Sequence, residues 1–121
     1  MAGEMYGGAV EDRVRIILYR GDLVGEAIEF ESTNPVCGDV LRFQIQTENN
    51  LITSIRWKAQ GCPPTLAAAD ILAEKLQGTS IDDARRIKLE NLLIELPGLP
   101  RTSKHALQLT LVVLRGILEQ V

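Results

Sequence analysis

The sequence predicts an α+β domain in which helices pack on one face of a three-stranded antiparallel sheet. Apolar residues alternate with polar ones, or cluster, over residues 24–32, 40–45 and 51–59, a pattern typical of strands. After Gly61 the apolar residues recur at helical spacing instead. Because the strands come first and the helices afterwards, an antiparallel sheet covered on one side by helices accounts for both patterns.

The first half of the chain supplies the strands. Residues 8–20 suit an amphipathic helix, although the part over 13–18 is also consistent with a strand. Within 24–32, apolar residues alternate with glutamates. The second strand starts at Val40 and is ended by Glu48-Asn49-Asn50. Because asparagine tolerates left-handed backbone angles, the Asn-Asn pair predicts a tight hairpin into the third strand.

The second half supplies the helices. Pro63 and Pro64 suit the start of a helix, and Gly78 supplies its end. Ser80, with an acidic residue three positions later, predicts the N-cap of a second helix over roughly 81–88.

A long C-terminal helix is predicted last. A short apolar segment at 92–96 precedes Pro97-Gly98-Leu99-Pro100. Thr102 or Ser103 then caps a helix that continues to about Gln120. Its apolar stripe consists of leucines: Leu107, Leu111, Leu114 and Leu118.

Length and charge limit the classes of function. With 121 residues, the chain is expected to form a single domain over 1–121. The net charge of −3 argues against nucleic acid as a partner. No signal peptide and no segment of about 20 apolar residues is recognised, so we expect no membrane partner and a cytoplasmic location. Thiols stay reduced there, which makes a structural disulfide the less expected use of the cysteines.

Four side chains form a candidate ligand set: the only two cysteines, Cys37 and Cys62, with Asp39 and the lone histidine, His105. Cys37 and Asp39 are two residues apart at the entry to a strand, where alternate side chains share a face. Cys62 precedes a helix whose N-terminal dipole would lower the pKa of its thiol. His105 falls in the first turn of another helix, which disfavours the imidazolium form.

Each of these residues also has a purely structural interpretation. A buried free cysteine is usually an inert small hydrophobe, a single histidine is usually a satisfied core or surface residue, and an aspartate beside glycine is usually a turn residue. The combination is more specific, because both thiols lie at glycine-containing junctions. No catalytic triad, phosphate-binding loop or acid/base carboxylate pair is found, so we do not expect an enzyme.

Several segments together resemble the iron–sulfur cluster scaffold family, the group of the IscU-type and SufU-type proteins and the N-terminal domain of NifU. They are the motif Asn34-Pro35-Val36-Cys37-Gly38-Asp39, the Lys-Ala-Gln-Gly-Cys segment before an alanine-rich helix, Gly78 to Ala84, and the late Leu-Pro and Lys-His pairs. The resemblance runs from about Tyr6 to the end of the chain. It implies a three-stranded antiparallel sheet flanked by helices, in agreement with the patterns above.

The resemblance implies a function and a site. In this family cysteines, an aspartate and often a histidine converge at an exposed tip, where sulfur from a cysteine desulfurase and iron form a [2Fe-2S] cluster for acceptor apoproteins. Cys37, Asp39, Cys62 and His105 occupy matching positions. The family's third cysteine is absent, because Ala106 follows His105 here.

The missing thiol leaves three interpretations open. Two thiolates, a carboxylate and an imidazole would still hold iron or a labile [2Fe-2S] cluster, in one chain or in a cluster-bridged dimer. The same four donors would suit zinc, as in a sulfur acceptor that activates a desulfurase. The third interpretation is a degenerate scaffold that acts as an interaction module.

Overall fold

The computed structural model describes residues 8–121, and within them the predicted α+β architecture is confirmed. The strands form one antiparallel sheet in the order β1-β2-β3. A 3₁₀ turn over Arg101–Ser103 precedes the last helix. In chain order the elements are α1 (Gly8–Arg15), β1 (Ile28–Thr33), β2 (Val40–Glu48), β3 (Leu51–Gln60), α2 (Pro63–Leu76), α3 (Ile81–Ala84), α4 (Leu89–Leu93) and α5 (Lys104–Leu118).

The core lies between one face of the sheet and the helices α2 and α5. Alternate residues of the two long strands are fully buried there, as the period of two requires: Leu41, Phe43, Ile45, Ile55 and Trp57. Helix α2 presents four fully buried alanines to its neighbours: Ala67, Ala68, Ala69 and Ala73. Their small side chains let α2 run close to both the sheet and α5. This packing places the first residue of α2 at the end of β3, beside the loop that joins β1 to β2.

The predicted hairpin between β2 and β3 is confirmed. Asn49 and Asn50 have φ angles of +51° and +65°, and Glu48 pairs with Leu51 across the turn. Two successive positive φ angles match the right-handed twist of the strands, which explains why an Asn-Asn pair suits this position.

The N-terminal helix is shorter than predicted and ends at Arg15 rather than near residue 20. The cause is Asp70 on α2, which is fully buried and accepts hydrogen bonds from the backbone amides of Leu18 (3.1 Å) and Tyr19 (2.8 Å). Both oxygens have further donors, because Oδ1 accepts from Trp57 Nε1 at 2.9 Å and Oδ2 from Arg13 Nε at 3.0 Å. The chain leaves the helix to reach this carboxylate.

The first strand also differs from the prediction, since it begins at Ile28 rather than at residue 24. Gly25 has a φ angle of +88°, which interrupts an extended conformation. The backbone carbonyls of Val24 and Glu26 accept hydrogen bonds from the Gln46 side chain, at 2.8 and 3.1 Å. Hydrogen bonds from the Gln46 side chain thus take the place of the backbone hydrogen bonds that a strand starting at residue 24 would make with β2.

The helix predicted over 81–88 starts as expected but ends at Ala84. The hydroxyl of Ser80 accepts the backbone N–H of Asp83 at 3.0 Å, which confirms the N-cap. The end is set from α5, where the Arg115 guanidinium donates to the carbonyl oxygens of Arg85 and Ile87 at 3.1 and 2.9 Å.

The segments before the last helix were only partly predicted. The apolar segment at 92–96 overlaps the short helix α4 and buries Leu92 and Leu96. Ser103 occupies the N-cap position of α5, but its hydroxyl makes no capping hydrogen bond, so the predicted side-chain cap is wrong.

Helix α5 crosses β1 at very short range. A side chain's first carbon at Gly116 would overlap the ring of Phe30 on β1. The side chain of Gln120 donates to the carbonyl oxygen of Glu29 at 2.8 Å, on the open edge of the sheet. Within residues 8–121, no helix has both the length and the apolar character needed to cross a bilayer.

Candidate metal centre

The loop between β1 and β2 forms the outer wall of the candidate site. Its ends are joined by hydrogen bonds from Asn34 N to Asp39 O (2.8 Å) and from Gly38 N to Asn34 O (2.7 Å). Gly38 has a φ angle of +76°, which other residues rarely adopt. Cys37 therefore lies exposed on a turn, while Asp39 is buried with 7% of its surface accessible. The two residues share the site through this turn rather than through strand alternation.

Asp39 is held from the inner wall, where α2 begins. Its Oδ2 accepts the Thr65 hydroxyl at 2.6 Å, the Cys62 thiol at 3.3 Å and the Cys62 backbone N–H at 3.4 Å. Burial alone would raise the pKa of Asp39, but these hydrogen bonds outweigh it and the pKa is lowered. Asp39 is therefore an anionic carboxylate at neutral pH. The three hydrogen bonds from Thr65 and Cys62 all end on Oδ2, and the neighbouring Cys37 thiol lowers the pKa further.

The absence of a side chain at Gly61 makes this arrangement possible. A Cβ atom there would lie 2.9 Å from both Cγ and Oδ2 of Asp39, and 3.2 Å from the Cβ of Thr65. Such contacts are too short, so any larger residue would displace the carboxylate.

His105 completes the group from the first turn of α5. Its Nδ1 lies 2.7 Å from the carbonyl oxygen of Thr102, which can only accept a hydrogen bond. In the neutral ring Nδ1 therefore carries the proton, and the lone pair of Nε2 is left for a ligand. A backbone carbonyl that fixes the tautomer in this way is typical of metal-binding histidines.

Three of the four predicted ligands come together. Ligand atoms of Cys37, Asp39 and His105 all lie within 4.8 Å of one another. Zinc bonds of about 2.0–2.3 Å place tetrahedral ligand atoms about 3.3–3.8 Å apart, so closing the site needs a shift of about 1 Å. The exposed Cys37 side chain can rotate to supply that shift. The donor set of thiolate, carboxylate and imidazole fits a borderline or soft metal ion.

Cys62 lies beside this group but is not part of it. Cys62 is half-buried, and its Sγ atom contacts Oδ2 of Asp39, the oxygen that accepts the three hydrogen bonds. The same Sγ atom lies 3.4 Å from Thr65 Oγ1. Burial raises the pKa of the Cys62 thiol, and the neighbouring Asp39 carboxylate raises it further, while hydrogen bonds with Thr65 only partly offset these effects. The prediction that the helix N-terminus lowers this pKa is therefore wrong, because burial and a carboxylate outweigh the dipole.

Sequence reasoning missed two residues that shape this region. Thr65 is fully buried and contacts both Asp39 and Cys62, and its position in the first helical turn after Cys62 was the available signal. Asp70 had a weaker signal, namely an acidic residue in an otherwise apolar helix segment. Ala106, which follows His105 in the chain, is fully buried.

Fold and site together define a class of protein. It is a small α+β domain that presents a thiol, a carboxylate and an imidazole at one end of its sheet. Residues 19–119 match the family model described as the NifU-like N-terminal domain. The chain belongs to this family, and the resemblance identified from the sequence is confirmed.

Individual relatives are scaffold proteins by name. The chain is 32% identical over 82 residues to iron–sulfur cluster assembly scaffold protein IscU 1 of Archaeoglobus fulgidus, which covers 68% of this chain and 54% of the relative. It is 35% identical over 83 residues to the scaffold protein IscU of Aquifex aeolicus, which covers 67% and 53%. The chain thus spans about half the length of the curated relatives it matches.

A solved structure extends the likeness of fold to nearly the whole chain. It is a candidate iron–sulfur cluster assembly scaffold protein of the SUF system from Fervidobacterium islandicum, with a TM-score of 0.77. The two share 13% identity, and the match covers 98% of this chain and 99% of the other. At this identity the likeness concerns the fold alone.

Proposed function

We propose that this chain is an iron–sulfur cluster assembly scaffold or carrier, with iron or a labile [2Fe-2S] cluster as its cargo. The observation that carries the proposal is the group of Cys37, Asp39 and His105, whose ligand atoms lie within 4.8 Å of one another. Membership of the NifU-like N-terminal family and similarity to IscU scaffolds support it. The proposed role is non-catalytic, and the whole chain is proposed to act as one domain.

Each proposed ligand has a distinct part. Cys37 is exposed and is the thiol that another protein reaches first. Asp39 and His105 are fixed in orientation by their hydrogen bonds, so they receive the metal without reorganisation. Cys62 becomes the fourth ligand only when its Sγ atom leaves Oδ2 of Asp39.

The proposed ligand set favours transfer over storage. Iron–sulfur clusters are held chiefly by thiolates, and this chain offers two. Oxygen and nitrogen donors in place of softer thiolates would make the bound cluster labile. Lability suits a protein that passes its cargo to an acceptor.

The proposed partners follow from this cargo. A cysteine desulfurase would supply the sulfur and acceptor apoproteins would receive the product, both at the tip that bears Cys37. The proposed location is the cytoplasm, which agrees with two cysteines that remain free thiols.

Anaerobic reconstitution with ferrous iron and sulfide tests the proposal. We expect visible charge-transfer absorption in the wild type and its loss in Cys37→Ser and His105→Ala. Lys104→Ala is the matched control, because this exposed neighbour of His105 is not a proposed ligand. The iron content per chain and sedimentation then separate a monomer from a cluster-bridged dimer. A wild type that takes up no cluster in either state would contradict the proposal.

A second proposal is a zinc-binding sulfur acceptor that activates a desulfurase. It is favoured by the fact that only one thiol, Cys37, belongs to the three-residue group. It requires one zinc ion per chain as purified and its loss in Cys37→Ala. If the protein as isolated and reconstituted holds neither zinc nor a cluster, the remaining interpretation is a degenerate scaffold that acts as an interaction module.

A further inference from the structure

Thr65 is a hydroxyl-bearing residue behind the site that the proposed ligand set does not include. It is fully buried, and its Oγ1 atom donates to Oδ2 of Asp39 at 2.6 Å. The same oxygen lies 3.4 Å from Sγ of Cys62. One buried hydroxyl thus contacts two of the four proposed ligands.

The backbone holds this hydroxyl in place. Cys62 is the N-cap of α2, and Thr65 lies three residues later, in the first turn. The Thr65 N–H donates to the carbonyl oxygen of Cys62 at 2.9 Å. Threonine is branched at Cβ and therefore stiff about χ1, so the direction of its hydroxyl is set by the start of the helix.

The contact decides which oxygen of Asp39 remains available. Oδ2 accepts three donors, two of them from Cys62 and the third from Thr65, which is by far the shortest. An oxygen with three donors has little capacity left for a metal ion. The two oxygens of a carboxylate are equivalent, so whichever one occupies this position takes the three donors, and the other, Oδ1 here, is left for a ligand.

We propose that Thr65 is a positioning residue for the metal site. Its hydroxyl fixes Asp39 so that Oδ1 serves the ion, and it helps to keep the Cys62 thiol beside Oδ2, out of the three-residue group. The inference rests on the proposed function, because it concerns the same site. Hydrogen-bonded partners of metal ligands typically contribute 10- to 100-fold to metal affinity.

Three substitutions separate the hydroxyl from the volume of the side chain. Thr65→Ser keeps the hydroxyl and loses the methyl group. Thr65→Val keeps the volume and loses the hydroxyl, and Thr65→Ala loses both. The measurement is Zn²⁺ affinity by competition with a chromophoric chelator, in full-length protein without oxygen, with folding checked by circular dichroism and urea unfolding.

We expect affinity to follow the hydroxyl. Thr65→Ser should bind Zn²⁺ within about threefold of the wild type, whereas Thr65→Val and Thr65→Ala should bind about 10- to 100-fold more weakly. A role in packing alone gives the opposite order, with the valine variant nearest to the wild type. If the valine variant does not fold, the serine and alanine variants alone decide between the two outcomes.

The Co²⁺ spectrum adds a readout that packing alone would not change. The serine variant should reproduce the wild-type ligand-field and thiolate charge-transfer bands. The valine variant should change them, because Asp39 and Cys62 are released together. Equal Zn²⁺ affinities and identical Co²⁺ spectra in all variants would overturn the inference and leave the proposed function intact. A wild type that binds neither Zn²⁺ nor Co²⁺ would overturn both.

Discussion

Helix α2 has two buried aspartates, Asp70 within it and Asp39 against its first turn, and their hydrogen bonds are distributed differently. Asp70 has two donors on each oxygen, and one of the donors is the Arg13 guanidinium, which supplies the opposite charge. Asp39 accepts three donors on Oδ2 alone, from Thr65 and Cys62, and the remaining neighbour that lowers its pKa is the Cys37 thiol. Asp70 is fully buried, whereas Asp39 keeps 7% of its surface accessible.

The difference separates a structural carboxylate from a candidate ligand. Where every lone pair has a donor and a cation already balances the charge, a metal ion would have to displace existing bonds. Where one oxygen accepts none of the three hydrogen bonds and a thiol and an imidazole lie near the carboxylate, a cation would complete the site. Both residues are buried aspartates, so residue type and burial class do not identify the ligand. The number of hydrogen bonds that each carboxylate oxygen already accepts distinguishes the two.

Loss of Asp70 should give the largest effect on stability. Asp70→Ala leaves the Trp57 N–H and two backbone N–H groups buried without their acceptor, at about 1–3 kcal/mol each. We expect the free energy of unfolding in urea to fall by about 3–5 kcal/mol, with Zn²⁺ affinity of the folded protein unchanged. Glu74→Ala is the control, because its ion pair with Arg13 is half exposed and contributes under about 1 kcal/mol. Equal losses in the two variants would refute the structural role of Asp70.

Loss of the Asp39 charge should give the opposite result. Asp39→Asn keeps the shape and one oxygen to accept the Thr65 hydroxyl, so stability should change by less than about 1.5 kcal/mol. Metal affinity should fall more than 100-fold, because the loss of a direct ligand exceeds the usual effect of its supporting residues. Chelator competition with Zn²⁺ measures this. An asparagine variant that binds as tightly as the wild type would remove Asp39 from the ligand set.

A methyl group at Gly61 should displace the carboxylate without removing it. The added carbon would lie 2.9 Å from Cγ of Asp39. We expect Gly61→Ala to weaken Zn²⁺ binding about tenfold and to lower stability by about 1–2 kcal/mol. Gly8→Ala is the control, because nothing lies within 4 Å of the added carbon there. Unchanged metal affinity in Gly61→Ala would show that Asp39 can move freely.

Lowering the pH should change the stability of the wild type by the smallest amount among these predictions. The pKa of Asp39 is lowered in the folded protein, so this carboxylate contributes stability above its unfolded pKa, and that contribution is lost as the pH falls through the folded pKa. As the pH falls below about 4, the free energy of unfolding of the wild type should therefore decrease towards that of Asp39→Asn. The expected decrease is about 1 kcal/mol or less. Urea unfolding at several pH values measures it. A difference that grows in acid would mean that the pKa is raised instead.

The sequence predicted those parts of the fold that depend on local pattern. Hydrophobic alternation and the Asn49-Asn50 pair are local, and they predicted the sheet and its hairpin. Three boundaries were wrong because distant side chains set them. Asp70 ends α1, Gln46 delays β1, and Arg115 ends α3. Such contacts join residues far apart in sequence, so no local window contains them.

The candidate site was predicted in composition but not in geometry. The motif and the lone histidine identified Cys37, Asp39 and His105, which the fold brings together. The sequence did not reveal that the Cys62 thiol donates a hydrogen bond to Oδ2 of Asp39, or that burial raises the pKa of this thiol. Those facts depend on the rotamers of two side chains and on the hydroxyl of Thr65.

The contact of Gly116 with Phe30 has a consequence for the opposite end of α5. His105 lies eleven residues earlier on the same helix, about 16 Å away at 1.5 Å per residue. If α5 tilted about its contact with Phe30 at Gly116, each degree of tilt would move the imidazole by about 0.3 Å. Metal–ligand distances tolerate only about 0.2 Å. A glycine with no side chain, eleven residues along the helix from His105, thus helps to determine where that proposed ligand lies.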